Sequence, residues 1–373
     1  MKNQSEKENI FPIMTAGLII TYECNLNCVY CYEKNKKSLY MSVKAAKEIL
    51  EPLLQESGEP LQIMLMGGEP LLAFQLIKEL VEWSEETHER WKRSCFFFGS
   101  TNGTLLDDDM KYWFHIHREQ VILALSFDGI PIAQNINRCL TADCIDLEFF
   151  GCNWPEQKIQ MTISEETVSR MAEGIIFLLE KGFSVNPSVA YESHEWKDQS
   201  VQEYLKQLLI IKDYYLIHLD APIIYQLSHP LIDYAKELDT PTTQKQQCGA
   251  GCGFVMFDID KEMYPCHMLS PLVLSKEQLQ KIQRLNLEKQ IFQDERCIGC
   301  PYISACSTCM GCNYLYRGDF KYRDSTHCKI QQIEVLVTIR YWVSLFDKNP
   351  MAGSKEMAEA ICTLSEYTGQ YLH

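Results

Sequence analysis

Short apolar runs rich in β-forming residues alternate with helical patterns over the first two-thirds of the chain. The predicted strands are Ala16–Tyr22, Leu61–Met66, Cys95–Phe98, Val121–Phe127, Phe183–Ala190 and Tyr214–Leu219. Helical patterns lie between several of them, at Ser42–Gln55, Leu72–Lys92, Thr167–Lys181 and Ser200–Ile211. Strands that alternate with helices form a parallel sheet with right-handed crossovers. Six such units are too few for a closed eight-stranded barrel, so we expect an α/β fold built on a partial, open (β/α)6 barrel of TIM type.

The remainder of the chain departs from this alternation. Arg138–Pro155 interrupts the rhythm and is predicted to be a loop insertion. A polar segment at Asp239–Gln247 marks a domain boundary, beyond which cysteines dominate up to Cys328. Two further helices are predicted, Lys329–Phe346, which packs back on the core, and Ser354–Tyr367. We therefore expect a partial barrel at residues 12–238, a cysteine-rich domain at 239–346 and a helical tail at 347–373.

The amino-acid composition indicates which binding partners and which cellular compartment to expect. The net charge of -15 disfavours nucleic acid and anionic membranes, because both attract clusters of Lys and Arg. No apolar run approaches the length of a membrane span, and the polar stretch Met1–Asn9 is unlike a signal peptide, so we expect a cytoplasmic protein. In a reducing compartment, the 17 cysteines indicate metal or redox chemistry in place of disulfides.

Three cysteines, Cys24, Cys28 and Cys31, fall close together directly after the first predicted strand. Three thiolates can hold three irons of a cubane 4Fe–4S cluster and leave the fourth iron open for a ligand. The alternatives are a zinc knuckle or spare thiols. Structural zinc sites use four ligands, however, and no fourth ligand lies nearby in the sequence. The motif therefore predicts an open iron–sulfur site.

The C-x3-C-x2-C spacing resembles the signature of the radical S-adenosylmethionine (SAM) superfamily, and further motifs follow at the ends of successive strands. Gly67-Gly68-Glu69-Pro70 resembles the GGEP motif that receives the SAM amino group, and Ser100–Thr104 and Ser126–Gly129 end the next two strands. Ligands bind at strand ends in parallel sheets. The resemblance implies that SAM is bound by Tyr30, Gly67, Gly68, Glu69, Pro70, Ser100, Asn102, Ser126, Asp128 and Arg138.

Some of these residues have particular expected roles. Tyr30 matches the aromatic position that contacts the SAM adenine, and the glycines let the backbone approach the ligand. Arg138 is expected to pair with the SAM carboxylate, a bidentate task that suits a guanidinium. The resemblance also implies that a reduced cluster cleaves SAM to methionine and a 5'-deoxyadenosyl radical, which abstracts hydrogen from the substrate. An external one-electron reductant such as flavodoxin or ferredoxin is then an expected partner.

The C-terminal cysteines resemble the SPASM domain of peptide-modifying radical SAM enzymes. The resemblance rests on Cys248-Gly-Ala-Gly, Tyr264-Pro265-Cys266, Cys297-x2-Cys300-x5-Cys306 and the trailing Cys328. Two full 4Fe–4S clusters need eight thiolates. The resemblance assigns an inner auxiliary cluster to Cys248, Cys252, Cys266 and one of Cys309 or Cys312. It assigns an outer auxiliary cluster to Cys297, Cys300, Cys306 and Cys328.

Two positions depart from the family pattern. Lys261 stands where the family often has glycine, so the turn there is expected to differ. Met310 stands where the family usually has a cysteine, so either Cys309 or Cys312 is expected to replace it, with Cys312 preferred.

Other roles for these cysteines are open. A zinc ribbon would combine Cys297-x2-Cys300 with Cys309-x2-Cys312. Five cysteines have no motif context and are expected to be buried, inert thiols: Cys95, Cys139, Cys144, Cys152 and Cys362.

The reaction itself has several candidates. The segment Cys306-x2-Cys309-x2-Cys312 resembles enzymes that form thioethers in ribosomally synthesised peptides with repeated cysteines. The alternative is an anaerobic sulfatase-maturating enzyme, which makes formylglycine. That family has an aspartate base after the cysteine matching Cys266, where this chain has His267, so His267 is the candidate catalytic residue. Peptide epimerisation, carbon–carbon crosslinking and a non-catalytic iron–sulfur scaffold are further alternatives.

The substrate is expected to be a peptide or protein. Many peptide maturases carry an N-terminal winged-helix module that binds the leader of the peptide. Few residues precede the first predicted strand here, so we expect either a separate leader-recognition protein or leader binding by the core.

Overall fold

The computed structural model describes residues 13–190, 194–232, 250–251, 253–282, 294–306 and 308–368. Strands in these ranges are β1 (Thr15–Thr21), β2 (Leu61–Gly67), β3 (Cys95–Thr101), β4 (Val121–Leu125), β5 (Ile159–Ile163), β6 (Val185–Val189), β7 (Phe254–Phe257) and β8 (Met263–Tyr264). The helices are α1 (Val43–Leu54), α2 (Phe74–Thr87), α3 (Asp108–Ile116), α4 (Pro131–Asn137), α5 (Leu147–Asn153), α6 (Met171–Glu180), α7 (Asp198–Tyr215), α8 (Lys276–Ile282), α9 (Met310–Arg317), α10 (Ser325–Lys348) and α11 (Lys355–Thr368).

The first six strands follow one another in space as they do in sequence. Strands β1 to β4 pair in order, all parallel, and β5 pairs in parallel with β6. A single parallel bridge between Ser126 and Gln160 continues the array from β4 to β5. Strand β7 adds in parallel to the free edge of β1, and β8 pairs antiparallel with β7. The array is an open, mostly parallel barrel, which confirms the predicted fold class.

The two faces of the sheet bury different side chains. Ala16, Leu18 and Ile20 on β1 are fully buried in the large core shared with the surrounding helices. Burial of a Leu or Ile side chain contributes about 1.5–3 kcal/mol, so this face anchors the barrel. On the opposite, inner face, Ile19 and Tyr22 belong to a smaller apolar group. Parallel strands align their carboxyl ends along one edge, and the loops at that edge carry the predicted site residues.

Several predicted elements differ from those observed. The predicted strand Tyr214–Leu219 is wrong, because α7 continues to Tyr215 and its last apolar turn supplied the pattern. The sixth parallel strand is instead β5, which was not predicted. Arg138–Pro155 is not a simple loop, since it contains α5 and the 3-10 turn Ala142–Cys144. The predicted closing helix is confirmed as α10, and its Ile330 and Val337 join the barrel core.

The hairpin between β7 and β8 keeps a left-handed residue at Lys261, which has φ of 68°. Glycine favours this conformation. The turn was expected to differ from the family pattern, but Lys261 adopts the backbone conformation that a glycine would have there. The Asp258 side chain supports it by accepting from the backbone N–H groups of Asp260 and Glu262. The predicted boundary Asp239–Gln247 lies outside the described residues. None of the helices in the described ranges has the length and hydropathy needed to cross a bilayer.

Candidate active site

The three clustered cysteines lie on an irregular loop that follows β1. Cys24, Cys28 and Cys31 are all half-buried, and the Cys31 N–H donates to the Cys28 carbonyl (3.1 Å). The three predicted ligands thus share one short segment at the carboxyl edge of the sheet. Within the described ranges, no three His, Cys, Asp or Glu side chains converge tightly enough to hold a single metal ion. A cubane cluster distributes its thiolates over separate irons and does not need such convergence.

The glycine pair at the end of β2 packs against this cysteine loop. Gly68 donates its N–H to the Thr21 carbonyl (3.1 Å), and the next N–H, of Glu69, donates to the Glu23 carbonyl (2.9 Å). A Cβ added to Gly68 would lie 2.3 Å from the Glu23 carbonyl oxygen, and one on Gly67 would lie 2.4 Å from that of Thr21. Only glycine permits such an approach. The backbone that the glycines approach is that of the loop carrying the cysteines.

The carboxylate of Glu69 is buried where β2 and β3 end. It accepts hydrogen bonds from the Leu71 N–H (3.1 Å), the Thr101 hydroxyl (2.7 Å) and the Asn102 N–H (2.8 Å). Burial raises the pKa of Glu69, and these donors oppose the shift. Pro70 begins a 3-10 turn directly afterwards. Glu69 therefore fixes the two strand ends relative to each other and holds the GGEP turn in place.

A ring of three side-chain hydrogen bonds ties the cysteine loop to the end of β3. Asn102 Nδ2 donates to Asn25 Oδ1 (2.9 Å), Asn25 Nδ2 to the Thr104 hydroxyl oxygen (2.8 Å), and that hydroxyl to Asn102 Oδ1 (2.7 Å). Asn25 was not predicted from the sequence, because a single asparagine between two cysteines carries no pattern. Ser100, on the inner face of β3, is exposed.

Asp128, three residues after the end of β4, accepts four hydrogen bonds from three parts of the chain. It is fully buried and accepts from the Tyr30 phenol (2.8 Å), Asn137 Nδ2 (3.0 Å), Arg138 Nη2 (3.0 Å) and the Thr162 N–H (2.9 Å). A buried carboxylate requires such compensation. Asp128 thereby joins the cysteine loop, α4 and β5 at one point.

The guanidinium of Arg138 stands between the Asp128 carboxylate and the Tyr30 ring. Its Cζ lies 5.4 Å from the ring centroid, within cation–π range. Its Nε is buried and, among the described residues, has no hydrogen-bond partner. Burial raises the pKa of the Cys28 thiol to about 11, and the nearby Arg138 charge opposes this rise. A spare buried donor beside the cysteine loop fits a carboxylate ligand such as that of SAM. Ser126, two residues before Asp128, is half-buried at the same edge.

Four of the C-terminal cysteines surround one cavity beside α10. It encloses about 290 Å³ of space free of protein atoms, part of it open to solvent. The cavity is lined by sulfur together with Arg323 and Gln332, and its cysteines are Cys297, Cys300, Cys306 and Cys328. These are the four residues that the SPASM resemblance assigns to the outer cluster. The structure brings all four together, and we call them the outer cysteine group.

Three further cysteines share a separate buried position, and we call them the inner cysteine group. Cys266 and Cys312 are buried in one apolar group, and Cys309 packs against it. Cys309 Sγ accepts the Cys312 N–H at the start of α9 (3.5 Å), and the Cys312 thiol also hydrogen-bonds to it, which lowers the pKa of Cys309 to about 7. Both alternative ligands therefore lie with Cys266. The predicted ligands Cys248 and Cys252 lie outside the described residues.

Two expectations about cysteines fail. The pairs of the proposed zinc ribbon are apart, since Cys297 and Cys300 line the outer cavity while Cys309 and Cys312 belong to the inner group. The cysteines without motif context are not buried. Cys95 is half-buried, and the other four are exposed: Cys139, Cys144, Cys152 and Cys362. Four of them therefore contribute little to the core.

Tyr32 connects the N-terminal cysteine loop with the inner cysteine group. It follows Cys31 directly in the chain and packs against the apolar group that contains Cys266 and Cys312. Its ring centroid lies 5.7 Å from that of His267. Burial raises the pKa of Tyr32, so the phenol is neutral at physiological pH. A single side chain thus separates two groups of predicted cluster ligands.

Two titratable side chains, the half-buried His267 and the buried Glu33, flank Tyr32. His267 Nδ1 is buried with no hydrogen-bond partner in the described part of the chain, and burial lowers the His267 pKa to about 4. The ring is therefore neutral at pH 7 and able to accept a proton. Glu33 was not predicted from the sequence; it is buried, and burial raises its pKa to about 8. The carboxyl of Glu33 is therefore largely protonated at pH 7.

A model of the radical SAM superfamily matches residues 18–190. This range contains the cysteine loop, the GGEP turn, Asp128 and Arg138. Residues 18–190 are a radical SAM domain. The family implies SAM and a 4Fe–4S cluster as the cofactors of this domain, in agreement with the donors at its carboxyl edge.

Proteins similar in sequence to the radical SAM domain include several that match over part of their length. An uncharacterised protein of Methanocaldococcus jannaschii is 34% identical over 31% of this chain and 38% of its own length. The cysteine-type anaerobic sulfatase-maturating enzyme of Clostridium perfringens is 28% identical over 34% of this chain and 35% of its own. This chain thus spans little more than a third of these relatives. The radical SAM cyclopropyl synthase TigE of Paramaledivibacter caminithermalis is 21% identical over 86% of this chain and 73% of its own length.

Solved structures extend the likeness beyond the radical SAM domain to most of the chain. The structure of anSMEcpe with bound AdoMet and the Cp18Cys peptide has a TM-score of 0.67 and 18% identity, covering 90% of this chain and 99% of that one. Streptococcus suis SuiB bound to its precursor peptide SuiA has a TM-score of 0.57 and 14% identity, covering 86% and 76%. At these identities the likeness establishes the shared fold.

Proposed function

We propose that the protein is a radical SAM peptide maturase. Residues 12–238 are the SAM-binding barrel, 239–346 a SPASM domain with two auxiliary 4Fe–4S clusters, and 347–373 a helical tail. When bound, a reduced cluster on the N-terminal cysteine loop would supply the electron that cleaves SAM to a 5'-deoxyadenosyl radical, which abstracts hydrogen from a peptide. The predicted ligands of that cluster are Cys24, Cys28 and Cys31.

The position of Tyr32 carries this proposal. Its contacts bring the inner cysteine group next to the loop that begins the SAM chemistry. A peptide held at the inner group would therefore lie close to SAM, which is the arrangement that a peptide-modifying enzyme needs. The inner faces of β5 and β6 add polar groups to the open barrel, where Asn186 Nδ2 donates to Gln160 Oε1 (2.8 Å). Backbone groups of a peptide could bind along such a surface.

The residues of the barrel edge have distinct roles in this proposal. Arg138 binds the SAM carboxylate through its spare Nε donor, and Asp128 holds the guanidinium in place. Glu69 holds the GGEP turn, whose backbone would receive the SAM amino group. Tyr30 closes the adenine side, with its phenol fixed by Asp128. These contacts position SAM before any bond is broken.

The product that we propose is a thioether between a cysteine sulfur and a carbon of the same ribosomally synthesised peptide. Forming this bond removes two hydrogens from the peptide. The carbon-bound hydrogen would leave as an atom to the SAM-derived radical, and the thiol hydrogen would leave as a proton. An auxiliary cluster held by the inner or the outer cysteine group would supply the acceptor for the one remaining electron. We assign the thiol proton to His267, whose buried Nδ1 lies beside the inner group and has no hydrogen-bond partner among the described residues.

A second candidate is sulfatase maturation. The sequence relation to the Clostridium perfringens enzyme and the fold shared with anSMEcpe favour it. The same His267 would serve as the base. Epimerisation and carbon–carbon crosslinking use the same radical initiation and differ in the product. An external reductant such as flavodoxin or ferredoxin and a separate leader-recognition protein are further proposed partners.

Product analysis tests the proposal. The reconstituted protein, reduced without oxygen, would be incubated with SAM and with a synthetic cysteine-containing peptide, and in parallel with a sulfatase peptide. We expect the first peptide to lose two hydrogens, keep its sulfur and resist thiol alkylation. Loss of sulfur would contradict thioether formation and favour formylglycine. A peptide whose mass is unchanged in ordinary water, but which takes up deuterium when the reaction is run in heavy water, would contradict both thioether and formylglycine formation and favour epimerisation.

A further inference from the structure

Two side-chain N–H donors point at sulfur atoms of the outer cysteine group. Arg323 Nη1 lies 2.9 Å from Cys306 Sγ and also donates to the Cys306 carbonyl oxygen (3.1 Å). Gln332 Nε2 lies 3.7 Å from Cys328 Sγ. Both donors line the same cavity as the four cysteines. Two of the four sulfurs thus receive a hydrogen bond from a side chain that is not itself a predicted ligand.

Arg323 is held in this position from outside the cavity. Its N–H donates to Asp294 Oδ2 (3.1 Å), and its carbonyl accepts from Arg296 Nη2 (2.7 Å). Asp294 is almost fully buried and pairs with Arg296. The backbone of Arg323 is therefore anchored by Asp294 and Arg296, whose opposite charges also act on Cys328. Its guanidinium is left to face the sulfurs.

The guanidinium has a donor to spare. Arg323 Nε is buried and, in the described part of the chain, has no hydrogen-bond partner. A buried N–H without an acceptor costs about 1–3 kcal/mol. A sulfide or thiolate of a cluster in the lined cavity would supply the acceptor. The spare donor therefore calls for a further acceptor near the outer cysteine group, and the sulfur of a cluster bound there would supply one.

Hydrogen bonds to cluster sulfurs affect the reduction potential. An N–H donor withdraws electron density from the sulfur and stabilises the more negative, reduced cluster, and a guanidinium stays protonated throughout. The inner group differs, because the hydrogen bonds to Cys309 Sγ come from the N–H and thiol of Cys312, another cysteine of that group. The charge of Arg317 also acts on Cys312 of the inner group, whereas at the outer group the guanidinium of Arg323 donates a hydrogen bond directly to a sulfur.

We propose that Arg323 and Gln332 are positioning residues that raise the reduction potential of the outer cluster above that of the inner one. The outer cluster then holds the electron removed from the peptide until it leaves the enzyme. This inference rests on the proposed function for the existence of an outer cluster. What is added to the proposed function is the direction of electron transfer, from the inner cluster to the outer one.

The test is a redox titration followed by electron paramagnetic resonance. The full chain with Cys24, Cys28 and Cys31 changed to Ala would be reconstituted so that the auxiliary clusters alone contribute. In this background the variants Arg323→Met, Arg323→Lys and Gln332→Leu would be compared, with Arg340→Met as the matched control. Arg340 is exposed on the same helix as Gln332 and lies outside the outer cavity. Iron per chain would be counted for each variant.

We expect one of two midpoint potentials to become more negative in Arg323→Met, with smaller shifts of the same signal in Arg323→Lys and Gln332→Leu. Arg340→Met should leave both potentials unchanged. Unchanged potentials in Arg323→Met at full iron content would overturn the inference. If Arg323→Met loses the cluster, an unchanged potential in Gln332→Leu overturns it instead. Iron for a single cubane in the unsubstituted background that is retained when Cys297 and Cys300 are also changed to Ala would refute the outer cluster of the proposed function, a separate failure visible before any titration.

Discussion

The phenol of Tyr30 donates a hydrogen bond to the carboxylate of Asp128, with 2.8 Å between the oxygens. Tyr30 lies between the second and third cysteines of the loop, and Asp128 follows β4, 98 residues later in the chain. The same carboxylate pairs with Arg138. The residue expected to contact the adenine and the residue expected to bind the carboxylate of SAM are therefore positioned by one buried side chain.

Replacing Asp128 should be costly. In Asp128→Asn the guanidinium of Arg138, itself buried, loses its countercharge, and breaking a buried pair in this way costs about 3–5 kcal/mol. We expect the urea midpoint of the reconstituted protein to fall and its affinity for SAM to drop. The control is Asp146→Asn, whose pair with Lys111 is partly exposed and worth less than about 1 kcal/mol. Equal effects of the two variants would contradict this account.

A methyl group on Gly68 should displace the cysteine loop. The added Cβ would lie 2.3 Å from the Glu23 carbonyl oxygen and 2.7 Å from Cys24 Cβ, and backbone cannot yield cheaply. We expect Gly68→Ala to lose about four irons per chain, those of one cubane. Gly58→Ala is the control, because its nearest neighbour is Arg93 Nη1 at 4.0 Å. Full iron content in Gly68→Ala would show that the contact does not shape the loop.

His267 should affect product formation and not radical generation. The ring lies 5.7 Å from that of Tyr32, beside the inner cysteine group, and His267 is not one of the residues expected to bind SAM. Because a positioned base contributes about 10²–10⁴-fold, we expect His267→Gln to slow peptide modification by that order while 5'-deoxyadenosine still forms. His218→Gln, at an exposed histidine, should leave both rates unchanged. Undiminished product from His267→Gln would remove this residue from the mechanism.

The stability of the protein should depend on pH through Glu334. Burial raises the pKa of this carboxyl from 4.5 to about 7, against hydrogen bonds from Tyr204 and Gln331. Between these values the folded state keeps a proton that the unfolded chain releases, so the free energy of unfolding falls as pH rises from 4.5 to 7. The loss is on the order of 3 kcal/mol. Urea denaturation over this range should show the slope in the wild type and in exposed Glu173→Gln, and a reduced slope in Glu334→Gln.

The strands and helices that could be predicted are those whose periodicity lies within one continuous segment of the sequence. Strands β1 to β4 and the helices α1 and α2 have clear periodicities, and the strands were predicted to within three residues of their observed bounds. Helix α3, between β3 and β4, was not predicted. The apolar end of α7 was mistaken for a strand because Tyr214 and Tyr215 favour β structure when read alone. The alternating strand β5 was hidden beside a segment taken for a loop. The pairing of β7 with β1 joins residues far apart in sequence, which no local pattern specifies.

The residues of the candidate site also fall into those that the sequence predicted and those that it did not. The cysteine spacings and the GGEP and strand-end motifs are contiguous in sequence, so they were found. The contacts that position them are not contiguous, as with Asn25 and Thr104 or Arg323 and Cys306. Such pairs become visible only when the strands have been placed side by side. The exposure of a side chain also depends on the tertiary structure, which is why Cys139 and Cys362 were wrongly expected to be buried.

The measurement that bears most directly on the central claim is the amount of 5'-deoxyadenosine formed from SAM by the reconstituted, dithionite-reduced protein. If Cys24, Cys28 and Cys31 leave one iron open for SAM, the wild-type protein should form 5'-deoxyadenosine. The variant with all three changed to Ala should form none, while keeping about eight irons of its two remaining cubanes. A wild-type protein carrying its full iron that leaves SAM intact, or a triple variant that still cleaves it, would contradict the account.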